Sequence, residues 1–382
     1  MLPSTAEGSR TQASRWGNPP WEIPAQPSPA LRPFHRDVVV LGAGLAGLST
    51  AYHLARRGLR VAVLEAAAVG AGASGRTGGL VLEGTAAGPL EQVDHCLDTI
   101  AAVVAEAGIA CDLDPRGCWE VRHERPAAGQ RPGWKDGDAR IVVDGTEPGG
   151  TVDPGRLLGG LAAAARRAGA EIYVHTPAGP LAPSRGNRQR VCSDAGVEVE
   201  ADHVVAALNA YTTQLLELPL RFHSALTLAL CTAPLAATTL EQLGVAERLP
   251  FYTVDLPYLW GRCLPDRRLI FGAGLLFPPD GDVRSIDLHQ PDAARSMEAL
   301  ERRVRGLHPV LAEVEVTHRW GGPIAFLGGR APVLSRLPAA PGVIVTGGYA
   351  GHGVALSVRI GQLIAAAIAD GTPLPRWGAL PA

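Results

Sequence analysis

The sequence predicts an α/β fold, a parallel sheet flanked by helices, joined to a second unit built on a mixed, largely antiparallel sheet. Three observations predict it. A glycine-punctuated strand–helix–strand pattern occupies residues 37–64, and a strand–glycine–helix pattern closes the chain at 342–369. Between them, residues 216–325 mix short strands with one helix and many Pro and Gly turns. Buried parallel strands read as continuous apolar runs, and helices as apolar positions recurring at three and four.

Residues 1–36 hold seven prolines with Trp16 and Trp21 and show neither period. They form an extended arm, either disordered or laid across the body with its tryptophans as anchors. Asp37–Leu41 reads as a buried strand, Leu45–Arg57 as a helix ended by Gly58, and Arg60–Leu64 as a second, parallel strand. Pro89–Gly108 has helical period, whereas 125–150 is rich in Gly, Pro and charge and reads as loop. Pro154–Ala168 is an Ala/Leu-rich helix ended by Gly169, followed by the strand Glu171–His175. A strand pair at Arg190–Cys192 and Gly196–Val199 precedes a return to the central sheet at His203–Leu208. Ala293–Gly306 is the helix of the second unit. The strand Gly342–Thr346 then leads through Gly347 and Gly348 into the helix Val354–Ala369. Leu356, Ile360, Leu363, Ile364, Ala367 and Ile368 make its buried face.

Composition narrows the function. The chain has 382 residues, 46% apolar and 19% charged, which supplies a large core and excludes overall disorder. Lys plus Arg is 35 against 37 for Asp plus Glu, a net charge of −2, so no electrostatic footprint for nucleic acid or an anionic membrane is present. Lys135 is the only lysine. The cysteines at 96, 111, 118, 192, 231 and 263 include no C-x-x-C pair, so they read as reduced thiols and no metal site is assigned. No signal-peptide pattern is present, and Arg359 breaks the best apolar run, so a cytoplasmic protein without a membrane span is expected.

Gly42-Ala43-Gly44-Leu45-Ala46-Gly47 lies between the first strand and helix. The first glycine allows the tight turn, the second lets a pyrophosphate approach the backbone, and the third lets helix and strand pack closely. The phosphates then sit at the helix N-terminus, where free N–H groups favour anions. Glu65, 18 residues beyond Gly47 and followed by Ala66, ends the second strand where a carboxylate takes a ribose hydroxyl. This register predicts a dinucleotide site. The glycine-dense loop Gly70–Gly79, placed straight after the second strand, suits an extended ligand continuing toward a ring system, which favours FAD over NAD.

The segments VVVLGAGLAGLSTAYHLARRG, GAGASGRTGGL, HRWGGPIAFLGGRAPVLSRL and GGYAGHGVALSVRIGQLIA resemble the FAD-dependent D-amino-acid oxidase superfamily, which includes glycine and sarcosine oxidases. Its gamma-glutamylputrescine-oxidase-like branch is the best match, and looser likeness covers Val152–Ala168 and Asp202–Tyr211, which includes Asn209. The resemblance implies a Rossmann-like FAD-binding domain of the glutathione-reductase type with a substrate domain on a mixed antiparallel sheet. It divides the chain into the arm 1–36, an FAD domain from 37–90, 151–215 and 326–382, and a substrate domain from 91–150 and 216–325. It also implies that Gly72 and Ala73 bind the cofactor and that Ser74, Arg76, Thr77, Gly78 and Gly79 lie along the ribityl chain and flavin ring. Gly348, Tyr349, Gly351, His352, Gly353 and Val354 would open the last helix against the flavin N1/C2=O edge. There the helix end and Arg76 would stabilise reduced flavin.

Four departures refine the expectation. Neither the segment around Arg76 nor that around Trp320 places a Cys or His where covalent members attach FAD, although His318 is two residues away, so FAD is expected to be non-covalent. Trp320-Gly321-Gly322-Pro323-Ile324 lacks the arginine that α-amino-acid oxidases use for a carboxylate, and Arg330 fits a structural turn as well as a site. This tilts the substrate toward an amine without an α-carboxylate. No lysine stands near Leu269-Ile270-Phe271 to activate oxygen, so the acceptor is oxygen or an electron carrier. The stretch between Gly117 and Gly150 is also shorter than the family's helical insert.

An alkylamine with a pKa of about 10.4 must lose a proton before hydride moves, at a cost of roughly 4.6 kcal/mol at pH 7. Apolar and aromatic walls lower that pKa, and Tyr252, Tyr258, Trp260 and Trp320 are the candidate walls, with Asp255 as an anchor for a distal cation or a solvated turn. The catalytic candidates are therefore His352, Trp320, Tyr258 and Arg76. The expected reaction is oxidation of a C–N bond: hydride passes from the α-carbon to flavin N5, and the imine hydrolyses. The alternatives are a flavin dehydrogenase of another class, such as a hydroxy acid, and a non-catalytic scaffold.

Overall fold

A computed structural model describes residues 15–123, 141–186, 188–329 and 331–380. Lys135, Arg330 and half of the shortened 117–150 stretch (124–140) lie outside the described residues. The elements run β1 (His35–Leu41), α1 (Leu45–Arg56), β2 (Val61–Leu64), β3 (Leu80–Leu82), α2 (Cys96–Ala107), β4 (Cys118–His123), β5 (Ile141–Glu147) and β6 (Gly149–Thr151). They continue with α3 (Pro154–Arg167), β7 (Glu171–Tyr173), β8 (Ala178–Arg185), β9 (Arg188–Ser193), β10 (Glu198–Ala206), α4 (Thr212–Leu215), β11 (His223–Thr232) and α5 (Ala237–Leu243). The remainder is β12 (Phe251–Thr253), β13 (Trp260–Cys263), β14 (Leu269–Leu276), α6 (Pro291–Arg305), β15 (Val316–Phe326), β16 (Val333–Leu337), β17 (Ala340–Gly347) and α7 (Gly353–Ala369).

The first sheet has the order β16-β17-β10-β1-β2-β7, parallel from β17 to β7. Every residue of β2 is buried because both faces are covered. Val38 and Val40 pack with α1, α3 and α7, while Val39 and Leu41 pack with Val191 and Val199 of the hairpin on the other face. The second sheet has the order β15-β11-β14-β13-β12-β4-β5, antiparallel except between β4 and β12. Leu228 and Leu230 face α6 through Met297, Leu300 and Val304. Ala229, between them, faces the other side with Trp320 and Trp260. That second face looks onto the first unit. No helix among the described residues is long and apolar enough to cross a membrane.

Four details depart from the linear reading. Residues 196–208 do not form two strands: β10 is continuous, antiparallel to β9 at its start and parallel to β1 and β17 at its end. Strands β5 and β6 stand where a loop was expected, because Ile141 and Val143 are buried in a stretch whose average composition is polar. Helix α2 starts at Cys96 rather than at Pro89. Gln92 turns the chain at φ 66°, and the Glu83 carboxylate accepts the N–H groups of Cys96 (2.7 Å) and Leu97 (3.0 Å) as an external cap. The boundary at residue 91 assigned this helix to the substrate unit; its Cys96, Ile100 and Val103 are instead buried in the core of the first sheet.

The described part of the arm crosses both units. The Trp16 carbonyl accepts the Gly321 N–H at 2.8 Å, and Gly17 bridges Trp320 on β15, the edge of the second sheet. Trp21 Nε1–H then donates to the Gly75 carbonyl (2.8 Å), and the Ser28 hydroxyl accepts the Val174 N–H (3.1 Å).

Candidate active site

A cavity of about 2090 Å³ opens between the two units. This is roughly twice the upper range for a single small-molecule pocket, enough for an extended dinucleotide and a substrate together. At one end β1 delivers Gly42, whose φ of 100° no side chain favours, and whose Cβ would stand 2.8 Å from the Ala207 carbonyl oxygen. Gly44 opens α1, and a Cβ there would stand 2.9 Å from Ser74 Oγ, which accepts the Leu45 N–H at 3.0 Å. Glu65 ends β2, and its carboxylate accepts the N–H groups of Ala43 (2.7 Å) and Ala67 (2.9 Å). Desolvation pushes this carboxyl up, and the two N–H groups oppose the shift.

Further along, Thr77 and Gly78 line the wall. Gly78 is bare because the Trp260 ring lies against it: a Cβ would meet Cζ3 at 2.2 Å, and one at Gly272 would meet Cζ2 of the same ring at 2.0 Å. Strand register sets Trp320, Ala229, Gly272, Trp260, Tyr252 and Glu120 in one cross-strand row on the face toward the first unit. The row ends where Tyr252 donates its hydroxyl to Glu120 Oε1 at 2.7 Å; burial raises that phenol first, and Glu120 adds to it.

The opposite wall is the start of α7. Gly348 N–H donates to Asn209 Oδ1 (2.9 Å), fixing the turn, and Gly351 takes φ 93°. Gly351, His352, Gly353 and Val354 line the cavity, so the positive end of a 17-residue helix faces it. His352 Nδ1 is buried without a partner, and burial lowers the imidazole pKa. The Tyr349 hydroxyl pairs with Thr346 Oγ1 at 3.0 Å, and burial pushes it up to about 12.

Most of the expected residues converge here. Gly42, Gly44, Leu45, Ala46, Glu65, Ala66, Gly72, Ala73, Ser74, Arg76, Thr77, Gly78 and Asn209 line the cavity, as do Trp320, Tyr258, Tyr349 and the start of α7. Ala43, Gly47, Gly79 and Gly348 stand one layer behind, and Asp255 is not among the lining residues. Two roles differ from expectation. Arg76 Nη1 donates to the carbonyls of Trp16 (3.4 Å), Gly17 (2.9 Å) and Gly321 (3.0 Å), so its guanidinium ties the arm to β15. Tyr258 is 53% exposed and sits at the rim, because the Pro257–Tyr258 turn projects from the sheet toward α6. Sequence reasoning missed Tyr211, which packs on Gly72, and Arg284 and Arg303, which line the cavity. Tyr211 lay inside the looser likeness; the two arginines carry no local signal.

These residues fit a bound FAD: a bare N-terminal turn with a carboxylate beside it, a glycine-lined continuation, and, at the head of the last helix, a lining histidine whose buried Nδ1 has no partner. Fold and cavity define a two-unit dinucleotide-binding oxidoreductase architecture. The chain belongs to the DAO family, described as FAD dependent oxidoreductase, whose model matches residues 37–367. It is 27% identical over 374 residues to the gamma-glutamylputrescine oxidoreductase of Escherichia coli strain K12, covering 86% of this chain and 82% of that one. It is 28% identical over 393 residues to the probable oxidoreductase OrdL of Rhizobium meliloti strain 1021, covering 90% and 86%. Among solved structures, glycine oxidase from Geobacillus kaustophilus superposes with a TM-score of 0.73 at 19% identity, covering 91% of this chain and 98% of that one. The family expected from the glycine-rich segments is thus shown, and with it an FAD-dependent oxidoreductase.

Proposed function

We propose that the protein oxidises a C–N bond of an amine that lacks an α-carboxylate, with non-covalent FAD. The observation that carries the substrate class is the state of the arginines along the cavity. Arg76 is bonded to three carbonyls, Arg284 to Asp282 and Arg303 to the carbonyls of Pro257 and Tyr258, while the fourth arginine that lines the cavity, Arg15, is exposed. None of the three bonded arginines is poised as a fork for a carboxylate. Bound FAD supplies the two-electron acceptor. The chain's residues supply the environment: Trp260, Tyr252 and Trp320 exclude water, and burial among them lowers the pKa of an amine so that it enters the reaction neutral. The amine activity of the E. coli relative, as its name gives it, agrees with this reading.

The test is anaerobic mixing of the holoenzyme with a panel of amines and α-amino acids while the flavin absorbance is followed. Bleaching by amines and not by the matching α-amino acids is expected, and the reverse order overturns the reading. The acceptor is oxygen or an electron carrier, told apart by oxygen consumption against dye reduction.

No cysteine lines the cavity among the described residues, and the histidine that does is His352, at the head of α7. This supports a cofactor held without a bond. Acid precipitation is expected to release yellow colour to the supernatant; colour kept in the pellet refutes it. All six cysteines are free and five are buried, which supports a reducing, cytoplasmic setting.

A further inference from the structure

Arg262 on β13 is 5% exposed. Its Nη1 donates to the carbonyls of Val152 (2.8 Å) and Gly79 (3.4 Å), and its Nε has no partner. No carboxylate stands at ion-pair distance among the described residues. The carboxylates whose charge reaches it are Asp153 and Asp112, and both are held by Arg156, at 3.8 and 2.9 Å. A buried cation without an anion is strongly disfavoured, so such groups are normally paired.

The position is specific. Arg262 is two residues from Trp260 and so shares its face of the strand. A Cβ on Gly79 would lie 2.8 Å from Nη2 and 2.9 Å from Cζ, so the guanidinium fills the space this glycine leaves. The next residue back, Gly78, lines the cavity. Gly42, Gly44, Glu65, Ser74, Gly78 and Trp260 line one continuous cavity. A dinucleotide with its phosphates at Gly42–Gly44 and a ribose at Glu65 would be held by these residues, with its ring end toward the wall that Arg262 braces.

We propose that Arg262 is a positioning residue for FAD: it holds the Gly78–Gly79 wall, and its unpaired charge favours the reduced, more negative cofactor over the oxidised one. A fixed charge in a dry site acts over several ångströms with little screening. The inference rests on FAD binding and not on the amine reading, since its test uses no substrate.

The test is the midpoint potential of the holoenzyme, read by equilibration with redox dyes. In Arg262→Gln the ratio of reduced to oxidised FAD at fixed potential is expected to fall at least tenfold, a downward shift of about 30 mV for a two-electron couple. Arg262→Lys keeps the charge only while the lysine stays protonated. Burial lowers an ammonium pKa, so the variant's potential is expected to fall progressively below the wild-type line as pH rises and the lysine loses its proton. A glutamine variant at the wild-type potential, or a lysine variant parallel to wild type at every pH, overturns the proposal. Should the glutamine variant not retain FAD, the lysine series decides alone.

Discussion

Gly47→Ala is expected to yield a folded protein that loses its FAD. Gly47 lies in the first turns of α1, and a Cβ there would stand 2.0 Å from the Gly42 carbonyl oxygen and 3.1 Å from its carbon. Neither atom belongs to a flexible side chain, so helix and loop must separate by about 1 Å, a misplacement of the size that costs a positioned site on the order of a hundredfold. Overpacking of this kind also costs about 1–3 kcal/mol of stability. The loop that moves carries Gly42 and Gly44 and the N–H of Ala43, which Glu65 holds. Equilibrium dialysis of the apoprotein against FAD is the check, with a thermal melt to establish folding. A drop in affinity of about a hundredfold is expected, and wild-type affinity would remove close helix–strand packing as the reason for this glycine.

Trp16→Ala is expected to cost about 3–5 kcal/mol, the range for emptying a buried large aromatic site. Trp16 is 1% exposed, packed among Leu226, Val283, Ile286 and Ala325, and its indole N–H donates to the Ile286 carbonyl at 2.9 Å. Its ring also stands 5.5 Å from the Arg76 guanidinium, which bonds its carbonyl and that of Gly17. Removing the ring therefore loosens Arg76, and with it Ser74 and Thr77 on the cavity wall. Urea unfolding and the rate of FAD release report the two effects, and both are expected to change together. A stability loss below about 1 kcal/mol, the level of a surface substitution, would mean that the arm rests on the body without holding it.

The parts of the molecule legible in the sequence are those whose cause is local. The β1–α1–β2 unit, α3, α6 and α7 stand within two residues of their expected ends. Their apolar periods and glycine stops act over a few residues. The cradle of Gly42, Gly44 and Glu65 is equally local, because a missing Cβ and a strand-end carboxylate need only thirty residues to meet. The site's other wall was reached through Gly351-His352-Gly353, whose place before a helix is also a neighbour effect.

Tertiary structure alone decided where the charges went. Arg76 looks in sequence like a group aimed at a ligand, yet carbonyls 59 and 245 residues away take it. Helix α2 begins where Glu83 caps it, and Trp260 lies flat because Gly78 and Gly272, on different units, both leave it room. Arg262 is unpaired because Arg156 holds the carboxylates near it. A buried donor or charge takes whichever partner the packing brings within 3 Å or so. Separation along the chain does not encode that partner, so the sequence determined the frame and the dinucleotide cradle, and the packing of two units and an arm determined which polar groups remain available for chemistry.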